Sequence, residues 1–182
     1  MSLNKTEKLT SELTSFLNLC DKAKEIVFAT YFKYKLDGKH FMKTDFVLKE
    51  DLVNLSPIEQ ILAVAIMFYE KVSTSKPKIK FNIKYQETIS IEGSKYIADF
   101  VIYSAVVDNK TKKLSRPIII ECDGYEYHSK KEQISRDYKR ERALKLNGFD
   151  ILRFTGSQIY NEPIVCVREI AKYISNILGG LK

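Results

Sequence analysis

The sequence predicts an α/β domain with a mixed central sheet and flanking helices, in the order helix, three strands, helix, strand, helix. Three observations carry this. Residues 79–121 hold three strand-patterned stretches separated by two short polar turns, which makes an antiparallel meander. A helix-patterned segment ending at Gly148 separates the third strand from a fourth apolar run, so these two strands should lie parallel through a right-handed crossover. Ile118, Ile119 and Ile120 follow Pro117 as an unbroken apolar run, which suits a strand buried on both faces.

The elements follow in chain order. In residues 5–35, Leu9, Leu13, Phe16, Leu17 and Cys20 recur at helical spacing, and Ile26, Val27, Thr30, Tyr31 and Tyr34 continue the pattern after Asp21, giving two helices or one broken helix. Residues 36–55, with Asp37-Gly38 and mixed charge, read as a connector with at most a short helix over 49–53. Residues 1–55 are therefore an expected N-terminal helical extension, and residues 56–182 the core. Ser56-Pro57-Ile58-Glu59 is a strong helix start: serine as N-cap, proline at the first helical position, glutamate three after the cap. That helix should run to about residue 72, with Ile58, Ile61, Leu62, Ala65, Met67 and Phe68 apolar enough to lie against a sheet.

Ile79, Phe81, Ile83 and Tyr85 alternate with Lys80, Asn82 and Lys84 in a half-buried strand. After a turn at 92–95, the strand over 96–107 places Ile97, Asp99, Val101 and Tyr103 on one face and Ala98, Phe100 and Ile102 on the other. A polar turn at 108–113 leads to the third strand, ending at Glu121. A helix over 129–147 is closed by Gly148. A short strand over 149–155 carries Arg153. The last helix spans 161–178, with Pro163 near its start and Gly179-Gly180 at its end.

The 182 residues suffice for a sizeable core and form one domain by default. Lys and Arg number 30 against 23 acids, a net charge of +7, which suits an anionic partner or simply a soluble cationic surface. Cys20, Cys122 and Cys166 have no metal-like spacing and fit a reducing compartment. No stretch has the length of a membrane span and the N-terminus is too polar for a signal peptide, so a cytoplasmic location is expected.

The stretch with chemistry is residues 116–128, RPIIIECDGYEYH. Glu121 and Asp123 are two apart at the end of a strand, so both carboxylates leave one face. Two carboxylates about 4 Å apart repel by roughly 4 kcal/mol at an effective dielectric near 20. A cation, a base or a trapped proton has to offset that. Asp99 lies within an otherwise apolar strand, a costly place for a carboxylate without partners. It either faces solvent or a lysine such as Lys80 or Lys84, or it comes alongside Glu121 and Asp123. The second arrangement is a ready site for Mg²⁺ or Mn²⁺, hard ions that take oxygen ligands.

An acid-bearing helix, Asp99 in the second strand and Glu121-Cys122-Asp123 in the third resemble the PD-(D/E)XK nuclease superfamily, with its restriction-endonuclease-like core. More narrowly, Glu121, Asp123, Gly124, His128, then Asp137, Arg140, Leu144, Gly148, then Arg153 and Phe154 resemble its very-short-patch-repair-like branch. The resemblance covers roughly residues 56–163. Ala98 stands where the superfamily's name has proline, and Asp123 where it has lysine. The resemblance implies metal-assisted hydrolysis of phosphodiesters by an endonuclease, on DNA rather than RNA. It implies Asp99, Glu121 and the backbone carbonyl of Cys122 as holders of Mg²⁺ or Mn²⁺. Asp123 would orient the attacking water or complete a second metal site. His128 would serve as base or leaving-group acid, or else cap the following helix. Glu59 would be a further acidic contributor, or simply the third residue of a capping box. The missing lysine also allows a catalytically inactive module that binds nucleic acid.

Gln133, Asp137, Arg140 and Leu144 share one face of the helix after the site. Ile134 and Tyr138 beside Leu144 suggest that this side meets the sheet. Asp137 and Arg140 form an ion pair, or Arg140 contacts a phosphate. Lys130, Lys131, Arg136 and Lys139, with Arg142 and Lys145, coat the rest and would line a phosphate-binding cleft beside the acids. Tyr125 and Tyr127 either stack on bases or pack. The N-terminal helices are left for docking, target choice or dimerisation, so a homodimer is allowed.

Overall fold

Two hairpins with the same kind of turn set up the sheet. In the computed structural model, which describes residues 18–36, 52, 54–72, 79–124 and 131–179, the chain divides into two compact units, Met1–Val72 and Ser73–Lys182. The expected helix residues Leu9, Leu13, Phe16 and Leu17 lie outside the described residues, as does most of the expected short helix at 49–53. No helix among the described residues is long and apolar enough to cross a membrane.

In the first unit, α1 spans Asp21–Leu36 and α2 spans Pro57–Val72. The start of α2 is a closed capping box: the Ser56 N–H donates to Glu59 Oε2 at 2.7 Å, and the Glu59 N–H donates to Ser56 Oγ at 3.5 Å. Ile61, Leu62, Ala63, Val64, Ala65 and Ile66 are all buried, so α2 is enclosed around its whole circumference. Gln60 is buried with its amide satisfied, accepting from the Cys20 N–H at 2.7 Å and donating to the Leu55 carbonyl at 3.1 Å.

In the second unit, strands β1 (Ile79–Ile91), β2 (Ser94–Val107), β3 (Lys110–Asp123) and β4 (Asp150–Thr155) form one sheet in that order. The first two pairings are antiparallel and β3 pairs with β4 in parallel, the mixed sheet expected. Both hairpin loops have two residues with positive φ, Glu92 (+49) and Gly93 (+79), then Asp108 (+47) and Asn109 (+64). Such turns match the right-handed twist of the strands they join. The third strand is longer than its apolar run because it carries a bulge. Ile102 pairs with Ile118 but Ser104 with Lys113, so residues 114–117 lie opposite Tyr103 alone. Pro117, which has no N–H to donate, falls within that interruption.

Helix α3 (Lys131–Leu146) follows β3. It ends in a Schellman motif: the Phe149 N–H reaches the Leu144 carbonyl at 3.1 Å and the Gly148 N–H the Lys145 carbonyl at 3.2 Å, with Gly148 at φ +86. Arg116 fastens this corner, donating to Asp150 Oδ1 at 2.7 Å and to the carbonyls of Phe149 and Lys145 at 2.8 and 3.0 Å. The single last helix expected is two: α4 (Gly156–Asn161) and α5 (Pro163–Ile177). Thr155 caps α4 in a box with Gln158, and Glu162 leaves helical geometry at φ −135, ψ 52 ahead of the proline.

Register decides the core. Phe100, Ile102, Ile118 and Ile120 are buried on one face, and Val101 and Ile119, paired directly, on the other. Val101, Ile119 and Leu144 of α3 belong to one buried cluster with Ile89 and Ile91, so α3 covers this second face. Here the reading of α3 needs correcting: Leu144 is 1% exposed, but Ile134 is 38% and Tyr138 60% exposed. At about 100° per residue those two lie roughly 80° and 120° around the helix from Leu144, whereas Asp137 and Arg140 lie within about 40°. Leu144→Ala is accordingly expected to cost about 2–5 kcal/mol in urea denaturation, and Ile134→Ala less than about 1 kcal/mol; equal losses would contradict this orientation of α3.

Candidate active site

The acids stand on adjacent strands. The pairing of β2 with β3 runs as far as Phe100↔Ile120, so Asp99 and Glu121 each stand one residue beyond the last paired positions of neighbouring strands. The Cys122 N–H donates to Asp99 Oδ2 at 2.7 Å, which gives the strand-borne carboxylate a partner in β3 and fixes its direction. Asp99 thus takes up the arrangement beside β3. On the other side of β3, Arg153 of β4 pairs in register with Glu121. Glu121 and Arg153 are therefore neighbours across β3 and β4.

Glu121 is 7% exposed. Its Oε1 accepts from Arg140 Nη2 of α3 at 2.6 Å, and the same nitrogen donates to the Ile97 carbonyl at 2.9 Å. Arg140 thus pairs with a carboxylate of the central strand. Asp123 lies 3.9 Å from Arg153 Nη1 with both side chains partly exposed, a weak pair by distance and solvation. Burial pushes the Glu121 carboxyl above its ordinary value, and the charge of Asp123 adds to this. Arg140 and Arg153 pull it down without cancelling the desolvation.

On the other side of β2, Gln86 of β1 has φ +48 in mid-strand. The pairing runs from Tyr85↔Phe100 to Glu87↔Ala98 and skips the position opposite Asp99. A left-handed residue other than glycine costs about 1–2 kcal/mol, and such outliers gather at functional sites. No residue type at position 86 signals this.

The other expected site residues divide clearly. Glu59 belongs to the first unit, where its carboxylate closes the capping box of α2. Arg136 and Lys139 are exposed on α3. His128, Lys130, Tyr125 and Tyr127, as well as the side chain of Lys131, lie outside the described residues. A cavity of about 280 Å³ is lined by residues of β4 and α5, including Arg153, Lys172 and Tyr173, and Asp99, Glu121 and Asp123 are not among its lining residues.

By donor chemistry, the carboxylates of Asp99 and Glu121 and the carbonyl of Cys122 suit a hard divalent ion. Among the described residues, however, no group of three or more His, Cys, Asp or Glu side chains is gathered to hold a metal. The charge nearest Glu121 is a guanidinium.

The Glu121–Arg140 pair has a pH signature. Because the folded carboxyl value is raised, the stability contribution from Glu121's proton is full below the unfolded value and is lost as pH rises through the folded value. Removing the guanidinium raises that folded value further. Arg140→Met should therefore cost about 3–5 kcal/mol at pH 8, the scale for breaking a buried pair, and less at pH 5, because a raised carboxyl value favours the proton as pH falls. Urea denaturation at the two pH values measures this; a loss independent of pH would mean that the pair is not what Arg140 contributes.

Comparison with known proteins agrees with the fold. No curated protein and no solved structure gives a significant match to the chain. A family model, REase_MTES_1575, matches residues 72–174, more than half of the chain and nearly all of the second unit's described elements. The match starts at the last residue of α2, so it includes Asp99, Glu121, Asp123 and Arg140 and leaves out Glu59. The chain belongs to this restriction-endonuclease-like family.

Proposed function

We propose that the chain is a divalent-metal-dependent endonuclease that hydrolyses phosphodiester bonds of DNA. Family membership supports a nuclease. The observation that carries the reading is the Cys122 N–H bond to Asp99 Oδ2 at 2.7 Å, which ties the aspartate of β2 to the residue next to Glu121 in β3. Asp99, Glu121 and the Cys122 carbonyl would hold Mg²⁺ or Mn²⁺. When bound, such an ion lowers the pKa of a coordinated water and offsets charge building on the phosphate. The chain's own residues do the positioning. The Cys122 N–H orients Asp99, and Asp123 stands at the position of the motif lysine, where it would orient the attacking water. Arg153 brings positive charge beside both acids of β3. His128 as base or leaving-group acid rests on its place in the sequence. Arg136 and Lys139, exposed on α3, would take backbone phosphates. The run from Glu121 through Asp137, Arg140, Leu144 and Gly148 to Arg153-Phe154 supports the very-short-patch-repair-like branch.

A second reading is favoured by one observation. Glu121 is ion-paired to Arg140, and no lysine stands at position 123, which suits a nuclease-fold module that binds DNA without cutting it.

Nicking of supercoiled plasmid separates the two. The nuclease reading expects nicking with Mg²⁺ or Mn²⁺ that falls at least about 100-fold in Asp99→Asn and Glu121→Gln, with DNA binding retained. Unchanged nicking in both purified variants would remove this site from the chemistry. The binding-module reading expects no nicking by the wild type. In either case Arg136→Ala and Lys139→Ala should each lower the salt slope of DNA binding by about 1, measured by fluorescence anisotropy across a salt series.

A further inference from the structure

We propose that Arg140 is an exchangeable counter-ion: it neutralises Glu121 while no divalent ion is bound and moves to a phosphate when nucleic acid arrives, so that metal and substrate load together. The inference rests on the metal-dependent reading of the site and adds an order to its assembly.

The geometry behind it is specific. Arg140 comes from α3 and puts one nitrogen against both Glu121 Oε1, at 2.6 Å, and the Ile97 carbonyl, at 2.9 Å. A carboxylate paired that closely is a poor ligand for a dication, since the guanidinium and the ion would crowd three positive charges around one negative group.

Arg140 is also placed to leave. Its side chain is 24% exposed, and Ile97, whose carbonyl it contacts, is exposed at the beginning of β2. Arg136 stands one turn earlier on α3 and Lys139 one residue before Arg140, both exposed. A phosphodiester approaching these cations reaches Arg140 next. A guanidinium is well matched to two phosphate oxygens at once, so a phosphate can compete with the single contact to Glu121. Departure of Arg140 takes the hydrogen-bonded cation away from Glu121, and a divalent ion replaces that charge.

Direct Mn²⁺ binding, read from the electron paramagnetic resonance signal of the free ion, tests this on the full chain without catalysis. The wild type should bind Mn²⁺ weakly alone and at least about tenfold more tightly with a short phosphorothioate DNA duplex. Arg140→Met should bind Mn²⁺ at least about tenfold more tightly than the wild type without DNA, and the gain on adding duplex should shrink. Arg140→Gln, which keeps a hydrogen-bond donor but not the charge, should behave likewise and serves if the methionine variant does not fold. Equal or weaker Mn²⁺ binding in both Arg140 variants, with binding abolished by Glu121→Gln, would overturn the counter-ion role and leave the metal-dependent reading standing. No Mn²⁺ binding by any of these proteins, with or without duplex, would overturn both.

Discussion

A carboxylate buried at the end of a central strand is the constraint around which the second unit is arranged. Glu121 is held there by β3, which is flanked on both sides and cannot turn its side chain outward without moving Ile119 as well. Its neutralisation comes from outside the strand, through Arg140. That contact requires α3 to lie across this face of the sheet, which Leu144 secures by packing with Val101 and Ile119. The Schellman ending at Gly148 and the Arg116 contacts then set where α3 stops and β4 begins. Strand pairing puts Arg153 beside Glu121. Core packing and site electrostatics are therefore one arrangement, in which loosening α3 would uncover the carboxylate.

Much of this was legible from residue order. Strand parity puts Glu121 and Asp123 on one face whatever the partners, and an aspartate inside an apolar strand invited a neighbour across the sheet. Gly148 announced the end of α3, and Ser56 with Glu59 announced the start of α2, because these signals act within a few residues. The same locality favours the capping role for Glu59, whose carboxylate satisfies an N–H three residues away. Thr155 and Gln158 offered an equally local signal for α4, but the stronger apolar run after Pro163 obscured it.

What was not legible depends on distance along the chain. The partner of Arg140 is 19 residues away on a different element, and a helical projection shows only that Arg140 shares a face with Leu144. Ile134 and Tyr138 illustrate the opposite error: apolar type suggested burial, but their angle around α3 leaves them in solvent. The bulge opposite Tyr103 follows from pairing on two sides of β2 and β3, which no single strand's pattern contains. The left-handed Gln86 is likewise invisible to residue type.

In the proposed site Asp123 takes the place of the motif lysine, an acid for a cation, and cations from α3 and β4 stand close by instead. Arg140 and Arg153 reach the acids from elements on two sides, so positive charge is present but redistributed. Whether that redistribution accommodates a divalent ion is settled most directly by anomalous diffraction from crystals of the chain grown with Mn²⁺ and a DNA duplex. The account predicts a manganese peak between the carboxylates of Asp99 and Glu121, with the Arg140 guanidinium withdrawn from Glu121. A well-ordered site with Arg140 still on Glu121 and no manganese beside either acid would contradict it.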